Sequence, residues 1–462
     1  MVKQIVIGAF EELTPNFISN TWHHPRSNTK DFATLEYWQD MARRLDAGGF
    51  DFLFFAEAIG YPMSGDDIPD AVVREAVQFP VLDPMTIISG LAATVDRLGF
   101  VVTASTTAQQ PYLNARAFTT LDHLTKGRVA WNIVTSDNQV GLVKLLGHGH
   151  VTPHDERYRR AQEFLDLSYK LWEQAWDDDA VIYDKENRTY ADPAKVHRIT
   201  HTGEYFSLDG IYPAPPSIQR TPLLLQAGTS KAGMAFAAQN AECVFIQERD
   251  DPAAAAATIS RLRSLAAAHG REGAPKVIAS ISVIVADTEE EAHRLRAELD
   301  ATPTREAGAA LYLGWSGVDL MKFDAHSTLD DVTTEVGQTM LAMFQNGNES
   351  PTVGEVLDRI STAISGARFV GTPAQVADAL AEYVNVTDID GFLIENPFGG
   401  AEGYGDFIDK VMPLLRDKNM LPPSPRGGTM RERMTGSSSP RLPADHPALA
   451  LASARALDSA TV

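Results

Sequence analysis

The sequence predicts an α/β fold, specifically a (β/α)8 TIM barrel with insertions, and three observations support this prediction. Short apolar runs alternate with helical patterns over most of the chain. Eight of these runs have the length and composition of strands. The chain has 462 residues, of which 44% are hydrophobic, enough for a large core. Eight strand–helix units favour a closed barrel, with an open doubly wound sheet as the alternative.

The eight predicted strands are apolar runs that end at polar residues or at turn signals. The second, "FDFLFFAE", ends at Glu57, and the fourth, "RVAWNIVTS", ends at Ser136. In chain order the predicted strands cover residues 4–10, 50–57, 98–105, 128–136, 222–228, 241–247, 276–287 and 389–395.

The predicted helices follow the strands and begin or end at recognisable signals. In the first, Leu35, Trp38, Met41 and Leu45 share one face, and the glycine pair 48–49 ends the helix. A proline at the first position is expected to start several of the others. The predicted helices cover residues 35–47, 84–95, 111–124, 230–240, 252–269, 289–299, 371–384 and 404–415, and one more begins near residue 154.

Three segments interrupt the alternation of strands and helices. Residues 177–220 are polar and rich in turn signals, and residues 301–370 form a second stretch outside the pattern, so both are predicted to be insertions. Residues 417–462 are rich in Pro, Ser, Gly and Ala and are expected to be a loosely structured, extended C-terminal tail. The barrel is therefore predicted to occupy residues 1–416, and the tail is expected to stabilise a homo-oligomer.

The composition limits the kinds of partner and the compartment. With 40 Lys and Arg against 61 Asp and Glu, the net charge is −21, which argues against nucleic acid or an anionic membrane as a partner. Cys243 is the single cysteine, so neither an intrachain disulfide nor a cysteine-based zinc site can form. No apolar stretch has the length of a signal peptide or membrane span. A cytoplasmic protein with a small-molecule substrate is expected.

The strand ends predict a polar ring at one end of the barrel. In this fold the active site lies at the carboxyl ends of the strands. The residues expected there are Glu11, Glu57, Thr103 to Ser105, Asn132, Thr135, Ser136, Gln226 to Ser230, Gln247 and Glu395. Such a ring suits a hydrogen-bonding heterocycle, whereas Glu57 and Glu395 could alternatively form the carboxylate pair of a glycosidase.

Two predicted helix starts could bind an anion. In "TPHDERY", His154 and Tyr158 are one helical turn apart, and in "QAGTSKAG" Ser230 follows Gly228 at a strand-to-helix turn. Unpaired N–H groups at a helix start favour a phosphate. The alternative is simple capping, with Thr152 capping the first helix and Ser230 the second.

Two other features of the sequence argue against a metal site and against a dinucleotide site. His148, His150 and His154 lie close together in sequence, but their spacing is too loose to indicate a metal, so no metal site is predicted. No GxGxxG follows an early strand, so the sequence contains no dinucleotide-binding domain that would bind NADH.

Several longer motifs carry a resemblance to a known family. They include "TWHHP", "REAVQFPVLDP", "TTLDHLTKGRVAWNIVTS", "HDERY", "DPAKVH", "SIQRTPLLLQAGTS", "LYLGWSGVDL" and "DGF". Over about residues 3–420 the chain resembles the bacterial-luciferase-like flavin monooxygenases. It is similar to the branch of nitrilotriacetate and dibenzothiophene-sulfone monooxygenases and most resembles long-chain alkane and dimethyl-sulfide monooxygenases.

This resemblance implies a chemistry and a cofactor. The expected enzyme is a two-component FMNH2-dependent monooxygenase that transfers one oxygen atom of O2 through a flavin C4a-hydroperoxide. The flavin carries the chemistry, so no catalytic side chain is assigned. A separate NAD(P)H:flavin reductase would supply FMNH2, and a homodimer or homotetramer is expected. A deazaflavin-dependent dehydrogenase of the same fold and a protein that only binds its ligand are the alternatives.

The resemblance also implies which residues bind the cofactor. The flavin phosphate would lie against Tyr158 and Ser230, with His154 beside it. Glu57, Thr103 and Asn132 would line the isoalloxazine and ribityl groups; at Glu57 the family has the shorter aspartate.

The candidates for the substrate pocket are Thr14, Gln78, Asn138, Leu311 and Trp315. The alkane and dimethyl-sulfide enzymes have a cysteine where Thr14 stands, and the alkane enzyme has histidines where Asn138 and Leu311 stand. The substrate class, whether organosulfur compound, amine or alkane, therefore stays open.

Overall fold

A closed parallel barrel forms the centre of the molecule in the computed structural model. The structure describes residues 2–15, 20–136, 138–228, 230–247, 251–271, 275–345, 349–362 and 366–451, except for the side chain of residue 339. The strands are β1 (Val6–Glu12), β2 (Phe52–Ala56), β3 (Gly99–Ser105), β4 (Val129–Val134), β5 (Val181–Asp184), β6 (Thr189–Ala191), β7 (Arg198–Thr202), β8 (Ser207–Ile211), β9 (Leu223–Ala227), β10 (Cys243–Ile246), β11 (Lys276–Val285), β12 (Ala367–Gly371) and β13 (Gly391–Glu395).

Eight of these strands close the barrel in the order β1, β2, β3, β4, β9, β10, β11 and β13, and β13 pairs again with β1. Every pair in this ring is parallel. All eight strands predicted from the sequence are members of the ring, so the predicted (β/α)8 barrel is confirmed.

Helices follow most strands, as expected for crossovers between parallel strands. They are α1 (Leu35–Gly48), α2 (Asp70–Arg74), α3 (Ile88–Ala92), α4 (Pro111–Thr125), α5 (Gln139–Leu145), α6 (His154–Tyr169), α7 (Lys231–Asn240), α8 (Pro252–Ala268), α9 (Glu289–Asp300), α10 (Arg305–Ser316), α11 (Gln338–Ala342), α12 (Val353–Ile360), α13 (Pro373–Thr387), α14 (Met412–Asp417) and α15 (Met430–Thr435). The prediction for residues 84–95 was only partly right, because a 3-10 turn precedes the short α3 there.

The barrel interior is filled by alternate residues of the strands. Phe10, Phe54, Val101 and Leu393 belong to one buried cluster, while the residues between them face the surrounding helices. Gly8 lies on the inward side, where a methyl group would stand 2.3 Å from the Phe52 ring. A side chain at this position therefore has no room in the interior.

The first insertion consists of two antiparallel hairpins, β5–β6 and β7–β8. The second contains α10, α11, α12 and β12, and β12 pairs with the outer half of β11 beyond the barrel ring. Strands were not predicted in either insertion, because residues 177–220 are polar and rich in turn signals and residues 301–370 fall outside the alternation of strands and helices.

The described part of the C-terminal segment packs under the barrel of its own chain. Arg431, on α15, forms an ion pair with Glu242 at 2.6 Å, and both side chains are buried. Arg426 forms a second pair with the buried Asp51 at 3.0 Å. The expectation of loose structure was wrong for these residues, because composition alone did not reveal the buried partners. The boundary at residue 416 and the contribution of this segment to an oligomer stay predictions.

Among the residues that the structure describes, no helix is long and apolar enough to cross a membrane.

Candidate active site

Two of the predicted cofactor residues meet at the barrel mouth. Thr103, on β3, lies opposite Asn132 on β4, and both side chains point inward by the alternation of the strands. Asn132 Nδ2 donates to Thr103 Oγ1 at 2.9 Å, and Thr103 Oγ1 donates to the Phe55 carbonyl at 2.7 Å. These two bonds fix the orientation of the Asn132 amide.

The fixed amide leaves one buried acceptor unused. Asn132 Oδ1 has no hydrogen-bond partner among the described residues, although the side chain is buried. Leaving a buried polar atom unpaired costs about 1–3 kcal/mol. Asn132 Oδ1 can therefore accept an N–H or O–H from a ligand in the barrel mouth.

Tyr158 and Ser230 come together from two different helices. Tyr158, on α6, hydrogen-bonds to Ser230 at the start of α7, and its side chain is partly buried. Burial raises the pKa of the Tyr158 hydroxyl, and the bond to Ser230 opposes that effect only in part, so the group stays a neutral donor. Both residues were expected at one phosphate site, and that role stays a prediction.

Two glycines let the Tyr158 hydroxyl approach the backbone closely. A methyl group at Gly233 would stand 2.8 Å from Tyr158 Oη, and one at Gly228 would stand 3.2 Å from it. Ser230 Oγ accepts from the Gly233 N–H at 3.0 Å, so the predicted Ser230 cap is confirmed. The two hydroxyls, the start of α7 and the two glycines thus lie together, and we call this group the Tyr158–Ser230 cradle.

The start of α6 differs from the prediction. Thr152 does not cap the helix: Pro153 occupies the capping position, and it has no capping side chain. The carboxylate of Glu335, from the second insertion, accepts from the His154 N–H at 3.1 Å instead. His154 Nδ1 contacts Asp155 at 2.9 Å, and its ring lies against Tyr158 with a centroid distance of 5.2 Å. His154 therefore lies beside the cradle, and its place next to a flavin phosphate stays a prediction.

Two of the predicted substrate-pocket residues contact each other directly. Asn138 Nδ2 donates to Gln78 Oε1 at 3.1 Å, and both side chains are buried. The Asn138 N–H also donates to the Gly314 carbonyl of α10 at 3.0 Å. Leu311 and Trp315 lie on the same face of α10 as Gly314, and Leu311 belongs to the interior cluster of the barrel. The loops after β2 and β4 and the second insertion therefore meet at one place.

The remaining predicted residues also lie at carboxyl ends of strands. Thr14 is buried two residues after β1, and Glu57 directly follows β2 and is half-buried. The roles of both residues in the site stay predictions.

The two carboxylates Glu395 and Glu11 lie on opposite sides of the barrel wall. Glu395 points inward and accepts from the Ser280 hydroxyl and from the Gly366 N–H, and burial raises its pKa. Glu11 points outward and accepts from Tyr404 Oη at 2.9 Å and from Asn396 Nδ2 at 3.1 Å. Glu11 is therefore outside the polar ring in which the sequence analysis expected it, because it has the outward parity of β1.

Stability is expected to depend on pH through Glu11. Burial raises the pKa of Glu11 to about 8, although its two hydrogen bonds act in the opposite direction. The folded protein therefore holds a proton that the unfolded chain releases near its ordinary pKa of 4.5. Stability should fall as the pH rises from about 4.5 to about 8, and Glu11→Gln should remove most of that fall. At pH 8 the variant is expected to be more stable by about 1–3 kcal/mol.

Urea unfolding of both proteins between pH 5 and pH 9 measures this effect. Glu402→Gln serves as a matched control, because Glu402 is exposed and should leave the pH profile unchanged. Parallel profiles for wild type and Glu11→Gln would contradict the prediction.

No group of three or more His, Cys, Asp or Glu side chains within the described ranges is arranged to hold a metal ion.

Three residues of the candidate site were not predicted from the sequence. Glu335 carries no motif and lies in an insertion, so no signal pointed to it. Gly233 and Gly314 had a usable signal, because a glycine inside a helical pattern often marks a close approach.

Comparison with known proteins gives a family match over most of the chain. The profile described as "Luciferase-like monooxygenase" matches residues 14–388. Among relatives, the chain is 39% identical to a long-chain alkane monooxygenase of Geobacillus thermodenitrificans, with 96% of this chain and 97% of the relative covered. It is 38% identical to a dimethyl-sulfide monooxygenase of Hyphomicrobium sulfonivorans, with 97% and 94% covered.

A third relative is named as one component of an enzyme. The nitrilotriacetate monooxygenase component A of Aminobacter aminovorans is 32% identical, with 89% of this chain and 92% of the relative covered.

Solved structures give the same result. A riboflavin lyase, crystallised with a modified FMN and its substrate riboflavin, superposes with a TM-score of 0.92 at 38% identity and covers 97% of this chain and 99% of its own. The structure of a long-chain alkane monooxygenase superposes with a TM-score of 0.89 at 38% identity and covers 98% and 100%.

Proposed function

The chain belongs to the luciferase-like monooxygenase family, and we propose that it is a two-component FMNH2-dependent monooxygenase acting on a small organic substrate. The observation that carries this proposal is the Tyr158–Ser230 cradle together with the unpaired Asn132 Oδ1 at the barrel mouth. The substrate would be an organosulfur compound, an amine or an alkane.

The residues present fit FMN. The Tyr158 and Ser230 hydroxyls and the N–H groups at the start of α7 would bind the phosphate, with His154 beside it. Asn132 Oδ1 would accept a hydrogen bond from the flavin, with Thr103 holding the amide in position. Glu57 would line the same region. When bound, reduced FMN supplies the activation of O2 and the transfer of one oxygen atom.

The protein itself would position the cofactor and keep water out. The apolar interior lies below the mouth, and α10 closes over it with Leu311 packed in the interior cluster. Exclusion of water protects a reactive oxygen species from breakdown before it meets the substrate. No proton transfer by a side chain is needed in this proposal.

The proposed enzyme also needs a partner that reduces FMN. The sequence contains no dinucleotide-binding motif, and one relative is named component A of a monooxygenase. We therefore propose that a separate NAD(P)H:flavin reductase supplies FMNH2. We also propose that the enzyme acts in the cytoplasm and that it forms a homodimer or homotetramer.

The purified chain is expected to oxidise NADH no faster than the buffer blank, with or without FMN. Adding a flavin reductase should start O2 consumption, and with a suitable substrate part of the O2 should end in an oxygenated product instead of H2O2. The assay uses an NADH absorbance trace, an oxygen electrode and measurement of H2O2 and of the oxygenated product, with an alkane, a dialkyl sulfide, a sulfone, an amine and riboflavin as substrates.

If the chain is a glycosidase or a protein that only binds its ligand, no oxygenated product should form. Rapid NADH oxidation by the chain alone would refute the two-component proposal. Activity with a reduced deazaflavin but not with FMNH2 would favour the dehydrogenase alternative.

A further inference from the structure

The amide pair Gln78–Asn138 lies beyond the carboxyl ends of β2 and β4, in the region over the barrel mouth that we call the roof. Both its backbone and its side chains are unusual. Gln78 has φ 47° and Asn138 has φ 46°, a left-handed conformation that is uncommon for residues other than glycine. Both side chains are buried, Gln78 with 7% and Asn138 with 3% exposure. Strained backbone positions cluster at functional sites, so the placement of these two buried amides indicates a functional role.

The pair holds three segments of the chain together. A methyl group at Gly60 would stand 2.5 Å from the Asn138 carbonyl, so the loop after β2 fits closely against the loop after β4. The Asn138 N–H bonds to the Gly314 carbonyl of α10. These contacts fix the position of α10 in the roof, where its residue Leu311 packs in the interior cluster.

Two amide oxygens lie close against Gly314, where any side chain would collide with them. A methyl group at Gly314 would stand 2.4 Å from Asn138 Oδ1 and 2.9 Å from Gln78 Oε1. Gln78 Oε1 already accepts from Asn138 Nδ2, but Asn138 Oδ1 is buried and has no partner in the part of the chain that the structure describes. The roof therefore presents a hydrogen-bond acceptor and lacks a donor to satisfy it.

We propose that Asn138, held by Gln78, selects substrates that carry a hydrogen-bond donor such as a hydroxyl or amino group. The inference rests on the proposed monooxygenase function and narrows its substrate class. A donor-bearing substrate satisfies Asn138 Oδ1, whereas a hydrocarbon or simple sulfide of the same size leaves the oxygen buried and unpaired. A site built to hydrogen-bond its substrate discriminates strongly against an analogue that lacks the bonding group.

Three small sulfides test this selection. Diethyl sulfide and hydroxyethyl methyl sulfide have the same number of non-hydrogen atoms and differ in a methyl and a hydroxyl group. Methoxyethyl methyl sulfide adds an ether oxygen that accepts but cannot donate. Binding of each probe to the FMN-loaded full chain is followed by the change in flavin absorbance, after FMN binding itself has been titrated.

The hydroxyl probe should bind about tenfold more tightly than diethyl sulfide, with the ether probe no better than diethyl sulfide. Asn138→Gly should abolish the preference, because glycine keeps the left-handed backbone and removes the acceptor. Asn419→Gly is the matched control. Asn419 also has a left-handed backbone, with φ 59°, but it is exposed and lies in the C-terminal segment after α14, so the preference for the hydroxyl probe should persist.

Equal binding of the hydroxyl and ethyl probes to the wild type, or no binding of any probe, would overturn the inference. A preference that survives in Asn138→Gly would also overturn it. Failure of the wild type to bind FMN would instead refute the proposed function, so the two failures are distinguishable.

Discussion

Replacing Arg431 by methionine is expected to lower the free energy of unfolding by about 3–5 kcal/mol at pH 7. The Arg431 guanidinium bonds to both oxygens of Glu242, at 2.6 and 2.9 Å, and to the carbonyls of Thr221 and Pro222. The two charged side chains are 1% and 3% exposed. Removing the cation leaves the Glu242 carboxylate buried and without its charged partner.

The sign of the pH dependence follows from Glu242. Burial by itself would raise the pKa of Glu242, but the Arg431 charge and hydrogen bonds outweigh burial and hold the pKa below its ordinary value. The pair therefore stabilises the fold above the ordinary pKa of 4.5 and loses this contribution as the pH falls. The defect of Arg431→Met should be smaller at pH 5 than at pH 8, because the lone carboxyl can then take up a proton.

Urea unfolding at both pH values measures the effect. Arg431→Met with Glu242→Gln should recover part of the loss, since no buried charge remains. Arg198→Met is the control, because the Arg198–Asp209 pair is exposed and its loss should cost less than about 1 kcal/mol. A loss below 1 kcal/mol for Arg431→Met would show that α15 does not anchor the underside of the barrel.

Tyr158→Phe and Ser230→Ala are each expected to weaken FMN binding by about 10- to 100-fold and to leave riboflavin binding almost unchanged. Each hydroxyl would donate a charge-assisted hydrogen bond to the phosphate, and riboflavin has no phosphate. Titration of each variant with the two flavins, followed by fluorescence quenching, measures the difference.

Two controls separate phosphate binding from helix capping. Thr288→Ala removes the cap of α9, where Thr288 Oγ1 accepts from the Glu291 N–H at 3.2 Å, and should cost about 1 kcal/mol of stability without affecting FMN. Ser230→Ala should cost a similar stability and also lose FMN affinity. Tyr212→Phe removes a buried hydroxyl that bonds to Thr119, away from the cradle, and should bind FMN normally. Equal losses for FMN and riboflavin would exclude Tyr158 and Ser230 from the phosphate site.

The sequence by itself determined the barrel, because local patterns encode local structure. The apolar runs that gave the eight strands and the proline and glycine signals at helix ends depend on neighbours within a few residues. The residues at the strand ends were also predictable, since closing a parallel barrel brings all its carboxyl ends to one mouth. Thr103 and Asn132 could be placed together for that reason.

The tertiary structure alone decided which distant groups meet. Glu335 replaces Thr152 at the start of α6, and Arg431 reaches Glu242 across 189 residues of chain. The strand β12 likewise forms only because the outer half of β11 offers it an edge. The spacing of residues in the sequence cannot indicate such partners, because a buried ion pair or a cap from a distant segment depends on the three-dimensional path of the backbone. The same holds for Gly314, whose missing side chain matters only because Asn138 and Gln78 fold against it.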